Sequence, residues 1–492
     1  MADLHAPPSL KDQGYFLGRY LVASLCFLST MFNYMLRVNI NFAITAMVAV
    51  KSNATNSSST NGSDTCGFQD IEEHHTEYDG EFEWDEWTQG IILGSFSWGY
   101  IITQIPGGRL AEKVGPRLVI GICLTFTALL NFLIPVAAHA GYGVLIAVRV
   151  LMGLAEGATF PALSFLIANW SPPNERSMFN TFTHIGAHFG IVLTYPFAAL
   201  MIQHLGWEYA FYIPAAVTLL WSIAWYFFVT DSPKDYPWMS NTEREYILSS
   251  LGTKENTKLP PIPVRAIVTS LPVWALIIAG FGDGWGFYTL LTDLPQYMKT
   301  MLNKDIKSNA LSSALPYLGF MAMGFCLSII GDMLRQRGAI STQTFRKFAT
   351  TLAHMGPAVC LFILTWLECD RAAISALLIA ALAMQGATNS GYIPNVIDIA
   401  PNFAGTVQGI SNMFGNTPGF LAPMTVGALT NNNQTLTQWN KVFYITAGIY
   451  AIDATFFLIF ASGTAQPWNY YINVKEDAPK KRRPLHPVTE DC

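Results

Sequence analysis

The sequence predicts an all-α membrane protein with twelve transmembrane helices in two halves of six. Three observations support this fold class. Of 492 residues, 51% are hydrophobic and 12% are charged, whereas soluble globular chains carry about 25% charged residues. About twelve apolar runs are long enough to cross a bilayer, which takes ~20 residues per helix. A longer polar segment, 230–270, separates the sixth run from the seventh, so the runs divide six and six.

The predicted spans follow one another in order along the chain. The first 19 residues lack the short apolar core of a cleavable signal peptide, so we expect the first span to serve as the insertion signal. The regions are an N-tail (1–19), a first bundle (20–229) with an outward loop (51–87), a central linker (230–270), a second bundle (271–463) and a C-tail (464–492). The spans begin near Tyr20, Thr88, Arg117, Tyr142, Met178, Trp207, Leu271, Asn309, Phe348, Ala372, Gly405 and Lys441.

Two independent signals orient these spans. With a cytosolic N-terminus, most of the 28 Lys and Arg residues fall in cytosolic segments, as the positive-inside rule requires. Glycosylation sequons are used only on the lumenal or extracellular side, and sequons fall in the first and last outward loops. We therefore expect both termini in the cytosol and glycosylation at Asn53, Asn56, Asn61 and Asn433.

Composition excludes several function classes. The seven cysteines show no CxxC or Cys/His spacing, so neither a zinc site nor a disulfide framework organises the chain. Cys66 and Cys369 both fall in predicted outward loops, which leaves a bridge between them open. A net charge of -5 and a single short basic stretch near the C-terminus give no support to nucleic-acid binding. We find no nucleophile elbow, metal-ligand set or phosphate loop, and expect neither an enzyme nor a cofactor.

A glycine-containing motif lies between the second and third spans, where the chain reads GRLAEKVGPR. Its glycines allow a tight cytosolic turn, and its acidic residue is expected to pair across to a neighbouring helix and lock one state of a rocking cycle. A shortened copy, Asp332 to Arg335, follows the eighth span and indicates two related halves. The residues assigned to the motif are Gly108, Glu112, Lys113, Gly115 and Arg117.

Three ionisable residues lie inside the first and fourth spans, where a charge is costly and usually faces a pathway or a partner. The guanidinium of Arg37 fits a carboxylate or phosphate through two parallel hydrogen bonds; the alternative is a structural ion pair or a side chain that reaches the interface. Arg149 and Glu156 are two turns apart on one helix face. Glu156 is a candidate for proton exchange, or for a static bridge to an arginine on another helix.

Two further spans carry candidates. His184 and His188 share one face of the fifth span. His184 is a candidate for substrate or proton binding against plain packing, and without a third ligand we expect no metal site. Asp283 of the seventh span is flanked by glycines that would loosen the helix and expose carbonyls for Na⁺ coordination. The alternative is a helix-end cap.

Several long stretches resemble one family closely. Together with the GRLAEKVGPR motif, the chain from Asn33 to Trp468 resembles the major facilitator superfamily. Within it, the similarity is to the anion-transporter family of sodium/phosphate cotransporters, the sialic-acid transporter sialin and the vesicular glutamate transporters. The most specific stretches are Leu93–Gly108, Trp170–Ser177, Ser313–Gly319, Asn395–Pro401 and the VFYI tetrapeptide that begins at Val442.

The resemblance implies roles for matching positions. Arg37 and Arg149 match arginines that engage the substrate anion, and Glu156 matches a carboxylate linked to proton coupling. Tyr100 and Tyr288 match aromatic residues that line the cavity.

Three departures from the family refine the expectation. Sialin carries a second glutamate where this chain has Met152. Vesicular glutamate transporters carry a histidine at Leu93 and an arginine at Asp283. Replacing an arginine by a carboxylate makes the cavity less suitable for dicarboxylate glutamate. The phosphate-cotransporter-like branch, or another organic-anion member, therefore ranks first.

The sequence thus predicts a monomeric Na⁺- or H⁺-coupled symporter of inorganic phosphate or an organic anion that works by alternating access in a lipid bilayer. The N-tail lacks the acidic dileucine signal of sialin, which favours the plasma membrane. The alternative is a proton-coupled acidic-sugar or organic-anion exporter, or a vesicular anion transporter, of lysosomes or secretory vesicles.

Overall fold

The computed structural model describes residues 18–49, 80–172, 175–251, 262–367 and 369–470. The N-terminal half contains six spans, of which the fourth is made of two helices. Its helices are α1 (Gly18–Met47), α2 (Glu86–Val114), α3 (Pro116–Ala140), α4 (Tyr142–Glu156), α5 (Thr159–Trp170), α6 (Arg176–His204) and α7 (Tyr209–Phe228). Two helices follow in the linker, α8 (Asn241–Leu251) and α9 (Val264–Val268).

The C-terminal half repeats the six-span plan, with two helices each in the tenth and eleventh spans. Its helices are α10 (Leu271–Thr300), α11 (Ile306–Gln336), α12 (Thr342–Leu364), α13 (Arg371–Gln385), α14 (Tyr392–Ile399), α15 (Ala404–Asn416), α16 (Pro418–Thr430) and α17 (Leu436–Phe460). The spans begin close to the predicted residues. The largest difference is in the ninth span, which begins at Thr342 rather than Phe348.

Nine segments of the described chain are long and apolar enough to cross a membrane by length and composition. The other three spans of the twelve are α2, α10 and the α15–α16 pair. α2 and α10 have 29 and 30 residues, so they are long enough to cross but more polar. Both pack at the contact between the halves, α2 against α16 and α10 against α1, where polar side chains are sheltered from lipid.

Prolines and glycines mark the three interrupted spans. Pro161 has no backbone N–H for residue 157, and the fourth span breaks between Glu156 and Thr159. Pro418 begins α16 in the same way. In the tenth span a short 3₁₀ turn over Gly386–Asn389 joins α13 to α14. A non-helical stretch at membrane depth is tolerated only where protein or a cavity satisfies its backbone.

The halves are joined near the end of the bundle where α1 ends and α2 begins, which we call the outward end after the sequence prediction. The Asn41 amide donates to the carbonyl of Leu291 at 3.2 Å, and the Tyr195 hydroxyl donates to the same carbonyl at 2.8 Å. Closer to the outward end, the Lys299 ammonium donates to the carbonyl of Thr45. These hydrogen bonds hold the halves together on the outward side of the centre.

The linker helix α8 belongs to the N-terminal half. The Glu243 carboxylate accepts hydrogen bonds from the backbone N–H groups of Gly18 and Arg19, at 3.0 and 3.2 Å. It thereby caps α1, whose first N–H groups have no partner within the helix. Arg19 also pairs with Glu175 at 3.5 Å. The capping contact fixes the N-terminal end of the first span.

Close packing of α2 on α4 depends on glycine. A β-carbon on Gly153 would lie 2.0 Å from the carbonyl oxygen of Phe96, and one on Gly99 would lie 2.1 Å from that of Val150. Helices in a membrane associate through such small residues because they let the backbones approach. The approach places the face of α4 that carries Arg149 against the aromatic residues of α2.

We therefore expect Gly153→Ala to destabilise the protein by about 1–3 kcal/mol, because the added methyl group meets backbone that cannot move aside. The measurement is the thermal unfolding midpoint of purified protein, followed by size-exclusion chromatography after heating. Gly143→Ala on the same helix is the matched control, since a β-carbon there contacts nothing within 4 Å. Equal midpoints for the two variants would contradict the packing argument.

Candidate functional site

Arg37 lies at the centre of the bundle in a cage of aromatic rings. Its guanidinium carbon is 4.6 Å from the ring centre of Phe96, 4.8 Å from Tyr100, 5.3 Å from Tyr288 and 5.5 Å from Tyr34. Ring faces attract a cation electrostatically, most strongly away from water. The cage supports a buried permanent charge without neutralising it.

Arg37 also connects the two halves. One of its terminal nitrogens donates to the Tyr288 hydroxyl at 2.8 Å, and that hydroxyl donates to the Asn416 side chain at 2.7 Å. Tyr288 lies on α10 and Asn416 ends α15, so both belong to the C-terminal half. The structure thus brings the predicted residues Arg37, Tyr100 and Tyr288 together at the interface.

Arg149 adds a second buried cation. Its guanidinium carbon is 5.1 Å from the Phe96 ring centre, and its Nη1 donates to the carbonyl of Arg37 at 3.3 Å. Phe96 therefore contacts both guanidinium groups, a role that was missed from the sequence. Its position one turn before Tyr100 on α2 was the available signal.

Glu156 is fully buried and interacts electrostatically with Arg37 and Arg149. Neither of its carboxylate oxygens has a hydrogen-bond partner within the described residues. The static bridge considered from the sequence is therefore absent from this part of the chain. Two guanidinium groups and one carboxylate leave a surplus positive charge, which suits an anionic ligand.

The two histidines of α6 contact different neighbours. The Nδ1 of His184 faces the backbone oxygen of Asn180 at 2.8 Å, and its ring lies 5.5 Å from Phe160. His188 instead stacks on Phe320 of the C-terminal half at 4.6 Å. Within the described residues no group of three metal-ligating side chains occurs. His184 reaches the arginine cage only through Phe160, which packs against Tyr34.

Asp283 differs from both expectations for it. It lies in the middle of the continuous helix α10, so it is not a helix-end cap and its flanking glycines do not loosen the helix. Those glycines serve close packing instead: a β-carbon on Gly284 would lie 2.0 Å from the carbonyl oxygen of Gly415. The Asp283 carboxylate accepts from the Gln385 amide and the Tyr392 hydroxyl, both at 3.0 Å.

Sequence reasoning missed two ionisable residues beside Asp283. His354 of α12 is completely buried, with Nδ1 at 2.9 Å from an Asp453 oxygen and Nε2 at 3.7 Å from an Asp283 oxygen. The same rule that selected Arg37, that charges inside spans serve a purpose, would have selected His354 and Asp453. Both lie in the predicted ninth and twelfth spans, outside the stretches that carry the family resemblance.

The GRLAEKVGPR motif folds around a residue that the sequence did not indicate. Gly115 has φ of 103°, and the backbone N–H of Arg117 donates to the Asp231 carboxylate at 2.7 Å. Glu112 pairs with Arg109 of its own helix at 2.8 Å, rather than with a neighbouring helix as expected. The motif's turn is therefore held by Asp231, which follows α7 in the same half.

The remaining motif residues make few contacts among the described residues. Gly108 faces Pro161, with 3.4 Å between a hypothetical β-carbon and the proline ring, and Lys113 is exposed. In the shortened copy Arg335 pairs with Asp332 three residues earlier. The spacing is that of Arg109 and Glu112 in the other half, with the order of the acidic and the basic residue reversed.

The predicted outward features fall partly outside the described residues. Asn53, Asn56 and Asn61 lie there, whereas Asn433 is exposed in the loop between α16 and α17. Glycosylation at these residues stays a prediction. Cys369 is disulfide-bonded, and its suggested partner Cys66 lies outside the described residues.

Comparison with known proteins identifies close relatives. A family model for the Major Facilitator Superfamily matches residues 26–423. Human sialin is 38% identical over 92% of this chain and 90% of its own length. A Drosophila melanogaster protein named "Putative inorganic phosphate cotransporter" is 38% identical over 97% of this chain and 90% of its own. Vesicular glutamate transporter 3 of Danio rerio is 36% identical over 94% and 76%.

Solved structures agree on the fold. A bacterial homolog of the human lysosomal transporter Spinster, in an inward-facing conformation, matches with a TM-score of 0.64 at 14% identity over 91% of this chain and 97% of that one. A D-xylose-proton symporter matches with a TM-score of 0.63 at 16% identity over 91% and 98%. The chain therefore belongs to the major facilitator superfamily, as a membrane transporter related to sialin, phosphate cotransporters and vesicular glutamate transporters.

Proposed function

We propose that this transporter carries inorganic phosphate or an organic anion together with Na⁺ or H⁺, by alternating access. One observation carries the proposal: Arg37 and Arg149 are buried together at the centre of the bundle, and one buried carboxylate, Glu156, interacts electrostatically with both. A surplus cation away from water is costly unless an anion shares the site. Both arginines offer a planar fork that suits carboxylate and phosphate oxygens.

The Arg37–Tyr288 contact supports alternating access at this site. Arg37 comes from the N-terminal half, and Tyr288 with its partner Asn416 comes from the C-terminal half. An anion that binds Arg37 competes for the same donor, so binding alters a contact that joins the halves. A ligand shifts a conformational equilibrium only through such differential contacts.

Coupling is assigned to Glu156 first. Within the described residues its buried carboxylate oxygens accept no hydrogen bond, and a proton would neutralise the charge where it is least solvated. When an anion occupies the arginines, their support for an ionised Glu156 falls, because the anion then shares the positive charge. Anion and proton would therefore bind together. Asp283, in the other half, is the second coupling candidate.

The alternative function places the same chemistry in an acidic compartment. Relatives include sialin and vesicular transporters as well as a protein named as a phosphate cotransporter. An acidic lumen would drive anion and proton together toward the cytosol. We retain the plasma membrane as the first assignment because the N-tail lacks an acidic dileucine signal.

Substitution of Arg149 tests the anion site. We expect Arg149→Gln to reduce anion uptake into proteoliposomes about 10- to 100-fold, since a charge-assisted hydrogen bond contributes about 1.5–3 kcal/mol. The panel contains phosphate, glutamate and an acidic sugar, with Na⁺ and pH varied separately. Arg149→Lys should restore uptake only in part because it cannot donate bidentately.

Arg337→Gln is the control for this panel, since Arg337 is exposed at the end of α11. If Arg149→Gln takes up every anion as fast as the unmodified protein, the arginines do not bind substrate. Uptake of no anion by the unmodified protein would reject the proposed function itself.

Substitution of Glu156 separates proton coupling from binding. We expect Glu156→Gln to retain anion exchange across proteoliposomes without a gradient, because glutamine mimics the protonated acid. The same variant should lose accumulation driven by a pH gradient. Glu245→Gln, on the exposed side of α8, should retain both. Persistent pH-driven accumulation in Glu156→Gln would exclude Glu156 as the coupling group.

Fluorescence imaging of a tagged protein in intact cells distinguishes the two compartments. We expect label at the cell surface, where surface biotinylation also detects it. Label confined to acidic organelles, with no biotinylation, would support the alternative function. The tag belongs at the C-terminus, which leaves the capping contact of Glu243 with Gly18 intact.

A further inference from the structure

A second buried ionic cluster lies within the C-terminal half, separate from the arginines. It joins Asp283 of α10, His354 of α12 and Asp453 of α17, with the imidazole between the two carboxylates. Nδ1 lies 2.9 Å from an Asp453 oxygen, and Nε2 lies 3.7 Å from an Asp283 oxygen. We call these three residues the His354 cluster.

The surrounding helices are shaped to hold this cluster. A β-carbon on Gly282 would lie 1.3 Å from an Asp453 oxygen, and one on Gly286 would lie 1.8 Å from the Tyr450 hydroxyl. The two glycines are one turn apart, so this face of α10 leaves room for both side chains of α17. Only glycine at these two positions permits the contact.

The other groups that face the cluster are an amide, two tyrosines and a second histidine. Gln385 of α13 and Tyr392 of α14 donate to Asp283. The Tyr450 ring lies 5.5 Å from the His354 ring, and His188 of α6 interacts electrostatically with Asp283. Among the described residues, no arginine or lysine forms an ion pair with either carboxylate. Between the two carboxylates, positive charge can therefore be supplied by the His354 imidazole, which is paired with both of them.

A carboxylate oxygen lies near each nitrogen of the His354 imidazole, so both nitrogens need a proton to donate. A neutral imidazole donates through one nitrogen and presents a lone pair on the other. That lone pair would face a carboxylate oxygen and repel it. A protonated imidazole donates in both directions, and the cluster charge falls from two negative charges to one.

One member of the cluster is accessible from outside it, and several of its buried polar atoms have no hydrogen-bond partner within the described residues. Asp283 is its exposed member, with 17% of the side chain accessible, while His354 and Asp453 show 0% and 2%. The Nε2 of His354, the Oδ2 of Asp453 and the Tyr450 hydroxyl have no hydrogen-bond partner within the described residues. A proton that enters past Asp283 would reach His354 directly.

We propose that Asp283, His354 and Asp453 form a second proton-binding site, which takes up one proton from the cavity independently of Glu156. This extends the coupling role proposed for Asp283. The proton draws α10 toward α12 and α17, because the imidazolium then attracts both carboxylates. When it leaves, Asp283 is freed from His354 and held only by Gln385 and Tyr392.

Proton counting on the purified full-length protein in lipid nanodiscs tests the proposal. A pH-indicator dye reports protons taken up as a lightly buffered solution is acidified from about pH 11 to about pH 5, a window that extends well beyond both sides of the ordinary histidine range. The test variant is His354→Gln/Asp453→Asn. It removes the imidazole and one carboxylate together, and leaves Asp283 with both of its hydrogen-bond donors.

We expect the double variant to take up one proton fewer than the unmodified protein. Adding Glu156→Gln should remove a further proton, because the two sites titrate separately. An unchanged count would overturn the proposal and leave the cluster as a fixed structural ion pair. A deficit that Glu156→Gln alone reproduces, with no further loss in the triple variant, would also overturn it.

A single substitution keeps the test decisive if the double variant does not fold by size-exclusion chromatography. Asp453→Asn retains the imidazole but removes one of its two carboxylates, so the uptake step should move about one pH unit or more toward acid. Asp332→Asn, an exposed carboxylate of the same half paired with Arg335, should leave the step in place. Equal steps in both variants would contradict the proposal.

These counts require no transported anion, so they are independent of the function proposed above. Failure of every anion to enter proteoliposomes would reject that function without changing the proton count. Conversely, an unchanged count would remove the His354 cluster from the mechanism and leave anion uptake through Arg37 and Arg149 as measured.

Discussion

The central constraint in this protein is the burial of permanently charged guanidinium groups far from water. Arg37 and Arg149 are almost completely buried and cannot be neutralised by losing a proton. Their burial is supported by aromatic faces, by the Tyr288 hydroxyl and by the charge of Glu156. The glycine contacts of α2 with α4 bring these groups into one place. Without that close approach, Arg149 would not reach Phe96.

Each half buries a cluster of ionisable side chains, and the two clusters carry opposite net charge. The N-terminal half holds two arginines and one carboxylate, whereas the C-terminal half holds two carboxylates and one histidine. With Glu156 ionised, the first cluster carries one surplus positive charge. With His354 protonated, the second cluster carries one surplus negative charge. The contact between Arg37 and Tyr288 joins the two halves. Surplus positive charge in one half and surplus negative charge in the other suit the proposed transport of an anion with a cation.

Sequence patterns predicted much of this architecture because hydrophobicity and charge act locally along the chain. The twelve spans, the central linker and the ionisable residues inside α1, α4 and α10 can be read from one segment at a time. The interruptions near Pro161 and Pro418 were not predicted, although the missing backbone N–H of each proline accounts for them. The local environment of Asp283 could not be read in this way. Its glycines indicated a loosened helix, but they accommodate Asp453 and Tyr450 from a span more than 160 residues later.

The amino-acid sequence by itself determined the membrane fold, the six-plus-six division, the family and the residues Arg37, Arg149 and Glu156 as site candidates. Only the tertiary structure decided which charges meet. It placed Phe96 between the two arginines, returned Glu112 to a partner on its own helix and joined His354 to Asp283 and Asp453. The physical reason is that insertion into a bilayer depends on each segment's own composition. Pairing of buried charges depends instead on distances between helices that are remote in sequence.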